Sequence, residues 1–237
     1  MGKSILVILE RSGDPAPVLS RAVLLARRLG ARLDVCLCEA EAAFALQHQF
    51  DSRAGGEHVR QWSQQKAQAW IERAWQSLGA SDVTARLEVV FESPMFEAVR
   101  RRAHASQPEL VLRGTGTAAE CTYSVADADL VRACPAPLLL TRGRALHAPP
   151  GVAAALDVSG EEPPEVSHGV LRAAQQMAQR CGASLELLYA ERAPSGDGTA
   201  RARLERLARA AGVQPAALHV LNGEPASAII EFARRRG

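Results

Sequence analysis

The segment ILVILERSGDPAPVLSRAVLLARRLGARLDVCLC, residues 5–38, decides the fold. It begins with an uninterrupted apolar run, continues through a proline-bearing loop, and then places apolar residues at the helical spacing of three and four. Gly30 follows the last of these, and glycine ends helices because it adopts the left-handed conformation without steric cost. A second apolar run comes next. The segment therefore predicts a strand–helix–strand unit with parallel strands.

The same pattern recurs in VAAALDVSGEEPPEVSHGVLRAAQQMAQRCGASLELLYA, residues 152–190, where Gly182 ends the helix. Both copies carry an acidic residue and a Ser-Gly pair after the first strand. The similarity resumes in LEVVFESPMFEAVRRRA (87–103) and LHVLNGEPASAIIEFAR (218–234), where a strand precedes a helix with proline near its start. One supersecondary unit is thus used twice in the chain.

The repeat predicts two α/β domains, residues 1–145 and 146–237. The first continues through a fourth strand, Leu110 to Leu112, a helix around 124–133 and a fifth strand, Leu138 to Leu140. The second copy ends before its own fourth strand, so we expect an incomplete domain whose first strand is an unpaired apolar edge. We expect this domain to be the less stable one, to be completed by a partner segment, or to be part of a longer tandem protein.

A longer helix, at about residues 57–78, is expected between the second and third strands of the first domain. Its broad apolar stripe is expected to pack in the core and consists of Trp62, Trp70, Ile71, Ala74 and Leu78.

Composition favours a soluble, cytoplasmic α/β protein. Of 237 residues, 47% are apolar and 23% are charged, and no apolar run approaches the roughly 20 residues of a membrane span. The net charge is only +2. The clusters Arg100–Arg102 and Arg234–Arg236 have no interleaved aromatic residues, so we interpret them as solvated helix faces rather than as a nucleic-acid surface.

The five cysteines and six histidines show no spacing typical of a metal site, so no bound metal is predicted. Cys36 and Cys38 alternate in an apolar strand of a sheet that we expect to be covered on both faces. Both thiols are therefore expected to be buried, reduced and unreactive.

The order of the elements and several short motifs resemble the universal stress protein family. The motifs are Gly-Ala-x-Leu after the first helix, Pro-Glu-Leu-Val leading to a glycine at the fourth strand, and Cys-Pro-x-Pro before the fifth. The tandem, E-type members are the most similar. The resemblance implies a doubly wound, Rossmann-like α/β fold with a parallel sheet in the order 3-2-1-4-5. Ligands in such sheets bind at the carboxyl ends of strands one and four, where the order reverses.

Nucleotide-binding members of the family carry Gly-x2-Gly-x9-Gly-Ser/Thr after the fourth strand, and its glycines let backbone amides approach phosphates. Counting from Gly114 puts Thr117 at the second glycine and Asp127-Ala128 at the last pair. Asp127 and Asp129 would also bring negative charge towards a polyphosphate. The stretch fails as a phosphate cradle, so no cofactor is predicted, and ATP remains a disfavoured alternative.

Four residues at the carboxyl ends of strands are candidates for a nucleotide or ligand pocket. They are Glu10, Arg113 and Gly114 in the first domain and Asp157 in the second. Glu10 stands where many family members have aspartate. A lone aspartate after a strand, such as Asp157, is also typical of a turn or a helix N-cap.

The first hypothesis is a non-catalytic stress-response protein that binds a partner or a small apolar ligand. The expected partner is a second copy of the chain, which gives a dimer, or another protein. The alternative is an ATP- or AMP-binding member with an atypical pocket at Glu10 and Gly114. A nucleotide-dependent enzyme is the third hypothesis. RSGD, residues 11–14, supplies only a fragment of its expected loop and is more simply a turn before Pro15, so no catalytic residue is predicted.

Overall fold

A computed structural model describes residues 2–11, 14–49, 53–115, 125–141, 151–160, 163–192 and 198–236. The chain forms two compact units, Met1–Ala145 and Leu146–Gly237. Within the described ranges, no helix combines the length and the apolar character needed to cross a membrane.

The first unit contains a five-stranded sheet in the order β3-β2-β1-β4-β5. All neighbouring strands in it are parallel. The strands are β1 (Ser4–Leu9), β2 (Arg32–Cys38), β3 (Ala85–Val90), β4 (Leu110–Gly114) and β5 (Leu138–Thr141). This confirms the predicted fold class and strand order, and it places the ends of β1 and β4 side by side at the point where the order reverses.

The helices of the first unit are α1 (Ala16–Leu29), α2 (Ala40–Gln49), α3 (Arg53–Gln76), α4 (Met95–Ser106) and α5 (Val125–Ala133). Helix α1 ends as predicted, because Gly30 has a φ of 60° and its N–H donates to the carbonyl of Ala26. Helix α2 has no counterpart in the sequence prediction.

The predicted apolar stripe of α3 is only partly buried. Ala67 and Ile71 are fully buried, whereas 58% of Trp62 is exposed and Lys66 Nζ lies 5.4 Å from its ring centroid. At about 100° per residue, Trp62 lies about 140° around the helix from Ala67, which turns its ring away from the core. The prediction for Trp62 was therefore wrong.

Every residue of β1 is buried. Leu6 and Ile8 belong to a cluster with Met95 and Val99 of α4 and Leu130 of α5. Because side chains alternate along a strand, the residue two places after Ile8 continues on this α4–α5 side of the sheet.

The second unit contains a three-stranded parallel sheet in the order β6-β7-β8. Its strands are β6 (Gly151–Ala155), β7 (Ser184–Glu191) and β8 (Ala217–Asn222), and its helices are α6 (Pro164–Cys181), α7 (Thr199–Ala210) and α8 (Pro225–Arg236). The core includes Leu171, Leu187 and Leu204, all fully buried. Among the described strands β6 pairs with β7 alone, so it is an edge strand.

Candidate functional site

Three of the four predicted site residues meet at the reversal point of the first sheet. Glu10 follows β1, and Arg113 and Gly114 end β4. Ile8 and Arg113 are register partners, so Glu10 and Arg113 project from adjacent strands on the α4–α5 side.

The Arg113 side chain is only 4% exposed and is held by three side chains. Its Nε donates to Asp127 of α5, its Nη2 to Glu10 Oε1 at 3.3 Å, and its Nη1 to Met95 Sδ at 2.9 Å. A buried guanidinium is tolerated only when it is paired and hydrogen-bonded, and these contacts meet that requirement. The end of β4 therefore carries a closed ion-pair cluster.

Asp127 has a different role from the one the sequence suggested. Its side chain is 3% exposed and pairs with Arg113. We had expected its charge to repel a polyphosphate directly, but a guanidinium compensates it. The ion pair joins residues 14 positions apart, and their meeting depends on how α5 packs against the sheet.

Gly114 is required by packing. A Cβ atom at this position would lie 2.5 Å from Cγ2 of Val18 in α1, which is closer than two non-bonded carbon atoms approach in proteins. The absence of a side chain thus lets α1 lie against β4. Of the failed glycine motif, Asp127 and Ala128 lie in α5, while Thr117 lies outside the described residues.

Asp157 belongs to the second unit and follows β6. Its Oδ1 accepts from the backbone N–H of Ser159 at 2.7 Å, its Oδ2 accepts from the Ser159 hydroxyl at 3.0 Å, and its carbonyl accepts from Ser167 Oγ at 2.9 Å. These are the hydrogen bonds of a side-chain-stabilised turn that leads to α6.

The predicted burial of both strand thiols is confirmed, with Cys36 3% and Cys38 6% exposed. Burial raises the pKa of the Cys36 thiol to about 11 and that of the Cys38 thiol to about 12. Both therefore remain protonated near neutral pH, and a thiol in that state is a poor nucleophile.

One group of ion pairs in the first unit was not predicted from the sequence. Arg102 was assigned to a solvated helix face, but its side chain is only 24% exposed and donates to Glu88 at 2.6 Å and Glu92 at 3.4 Å. That assignment was wrong, because α4 turns Arg102 towards the sheet. The available signal was Arg32 and Asp34 in β2, since inner strands of parallel sheets are normally apolar on both faces.

No protein-family profile matches the chain. Universal stress protein E of Photorhabdus laumondii is 22% identical over 163 residues, which make up 68% of this chain and 52% of the relative. The chain thus spans about half the length of the curated relative it matches.

Two solved structures show the same fold over almost the whole chain. A universal stress protein from Archaeoglobus fulgidus superposes with a TM-score of 0.68 at 15% identity, covering 98% of this chain and 83% of that one. A Pseudomonas aeruginosa protein named as a universal stress protein superposes with a TM-score of 0.64 at 20% identity, covering 99% and 79%. The chain therefore shares the fold of these universal stress proteins.

Proposed function

We propose that the chain is a non-catalytic stress-response protein of the universal stress protein type, which acts by binding a protein partner or a small ligand and does not use ATP. The observation that carries this proposal is the ion-pair cluster at the end of β1 and β4. Arg113, the one guanidinium of this cluster, is already bound to Asp127 and Glu10.

The charge of the cluster argues against a polyphosphate. One guanidinium and two carboxylates leave one net negative charge near neutral pH, at the strand ends where a nucleotide would bind. A phosphate could engage Arg113 only by displacing a carboxylate that is 3% exposed, and it would meet Glu10, which is 40% exposed. The poor glycine motif adds no amide cradle in compensation.

Titration calorimetry with Mg-ATP and with AMP tests the proposal. We expect no binding at physiological nucleotide concentrations. Glu10→Gln and, as its matched control, Glu72→Gln on the exposed face of α3 are titrated in parallel. A micromolar dissociation constant that changes with Glu10→Gln and not with Glu72→Gln would establish the alternative, an ATP- or AMP-binding protein with an atypical pocket. Gly114→Val is unsuitable here because any side chain at that position collides with Val18.

We further propose that the protein belongs to the tandem, E-type class, works in the cytoplasm and forms a homodimer. The repeated strand–helix–strand unit supports the tandem class. Two edge strands rich in apolar residues, β5 and β6, support self-association. Multi-angle light scattering over a range of protein concentrations tests the dimer, and a monomer at all concentrations would contradict it.

A further inference from the structure

A charged cleft lies on the α4 side of the first sheet, over the amino-terminal halves of β2 and β3. Its volume is about 300 Å³, within the range of small-molecule pockets. The charged and thiol side chains that line it are Arg32, Asp34, Cys36, Arg86, Glu88 and Arg102. Leu6 of β1 also lines it, whereas Glu10 lies beyond the opposite end of the same strand. The cleft is therefore separate from the Arg113 cluster.

Asp34 is the least expected residue of this cleft. It lies in β2, between its register partners Leu6 of β1 and Arg86 of β3. Its side chain is only 15% exposed, yet its ion pair with Arg32 is long, at 3.5 Å between Oδ2 and Nη2. A largely buried carboxylate normally has a closer partner than this, because loss of solvent disfavours its charge.

Two buried side-chain atoms of the described residues have no hydrogen-bond partner, and both belong to residues of this cleft. They are Oδ2 of Asp34, an acceptor, and Nε of Arg102, a donor. The other nitrogens of the Arg102 guanidinium pair with Glu88 and Glu92, and the Cys36 thiol beside it is only a weak acceptor. Native proteins keep few such atoms, and here both belong to one cleft, where water or a bound ligand can complete them.

We propose that the charged cleft binds a small zwitterion of the α-amino acid class. Its ammonium group donates to Asp34, and its carboxylate accepts from Arg86, which is 77% exposed and 4.0 Å from Glu88. The carboxylate also accepts from Nε of Arg102, the nitrogen of that guanidinium that Glu88 and Glu92 leave unpaired. An α-amino acid carries one donor group and one acceptor group close together, which matches the two incomplete atoms. Because both atoms are buried, binding rotates the Asp34 and Arg102 side chains towards the ligand.

Both signs of charge line the cleft, as three guanidinium groups and two carboxylates. A zwitterion can pair with both signs, whereas a phosphate or a dicarboxylate brings no cation to Asp34 or Glu88. Leu6 and Ala105 supply apolar surface for a small side chain. This inference rests on the proposed function, for which it names the small ligand. The two can be refuted separately, because ATP binding at Glu10 would refute the proposed function without bearing on the charged cleft.

Thermal unfolding of the full chain in the presence of each proteinogenic amino acid, added singly at millimolar concentration, tests the proposal. We expect at least one to raise the unfolding temperature, and calorimetry then gives its dissociation constant. Arg86→Gln changes an exposed side chain and should weaken binding about tenfold or more by removing a charge-assisted hydrogen bond. Arg100→Gln, an exposed residue on the same helix as Arg102 but outside the cleft lining, is the matched control and should leave binding unchanged.

Asp34→Asn distinguishes ligand binding from a structural role. It retains the size of the side chain and removes the weakly compensated charge, so the unliganded variant should unfold at the same or a higher temperature while the amino-acid effect disappears. A lower unfolding temperature of unliganded Asp34→Asn would indicate a structural ion pair and overturn the proposal. So would the absence of a shift with every amino acid, or a shift that persists in Asp34→Asn.

Discussion

Replacing Arg113 with methionine should destabilise the first unit strongly. Arg113 and Asp127 are 4% and 3% exposed, so solvent screens their attraction little. Removing the guanidinium leaves the buried Asp127 carboxylate without the positive charge that compensates it. Breaking a buried pair in this way costs about 3–5 kcal/mol of stability. Asp127→Asn should cost less, about 1–3 kcal/mol, because Arg113 keeps Glu10 at 3.3 Å.

Urea unfolding followed by tryptophan fluorescence measures these losses in the relevant unit, because all three tryptophans lie in α3. Arg27→Met is the matched control: it removes a bidentate pair with Asp82 at the surface and should barely move the midpoint. Arg113→Met combined with Asp127→Leu should recover most of the lost stability, since it removes both charges. A loss below about 1 kcal/mol for Arg113→Met alone would refute the closed-cluster interpretation of the site.

Three further predictions concern the thiols, the α1–β4 contact and the second unit. Because burial raises the pKa of the Cys36 thiol to about 11 and that of Cys38 to about 12, only the unfolded thiols ionise just above pH 9. The free energy of unfolding should therefore fall above that pH by about 1.4 kcal/mol per thiol per pH unit, a slope that replacing both with alanine removes in urea titrations. Gly114→Ala should cost about 1–3 kcal/mol by collision with Val18, and Val18→Ala in the same chain should relieve part of it, as a double-mutant cycle would show. The second unit should unfold first, and at low protein concentration the amides of β6 should exchange with solvent faster than those of β1. Exchange of the β6 amides should become slower as the chain associates. Equal protection of both strands in a monomer would contradict this. Val170→Asp, on the exposed face of α6, should weaken that association in light scattering.

Local signals were sufficient for most of the elements, though not for the helices α2 and α7, and insufficient for the site. Gly30 and Gly182 end their helices as predicted, because a left-handed glycine needs nothing from the rest of the chain. The ion pair of Arg113 with Asp127 depends instead on the register of β4 and the packing of α5, which no neighbouring residue encodes.

The sequence of β2 carries a signal for the charged cleft that the prediction did not use. The sequence of β2, RLDVCLC, alternates polar and apolar residues in its first half, which is typical of a strand with one solvated face. An inner strand of a parallel sheet is expected to be apolar on both faces, and Asp34 departs from that expectation. The physical meaning of the contradiction becomes clear only when Arg86 and Arg102 are found beside it.

The two copies of the repeat show how one sequence pattern is buried or exposed by its neighbours. Val18 and Val170 each lie twelve residues before the glycine that ends their helix. Val18 is 9% exposed because β4 lies against it at Gly114, whereas Val170 is 40% exposed on α6. The first strand follows the same rule, because β1 is buried throughout between β2 and β4, and β6, paired with β7 alone among the described strands, exposes alternate residues. The apolar face next to β6 is thus the surface on which a further strand would have the largest effect on stability.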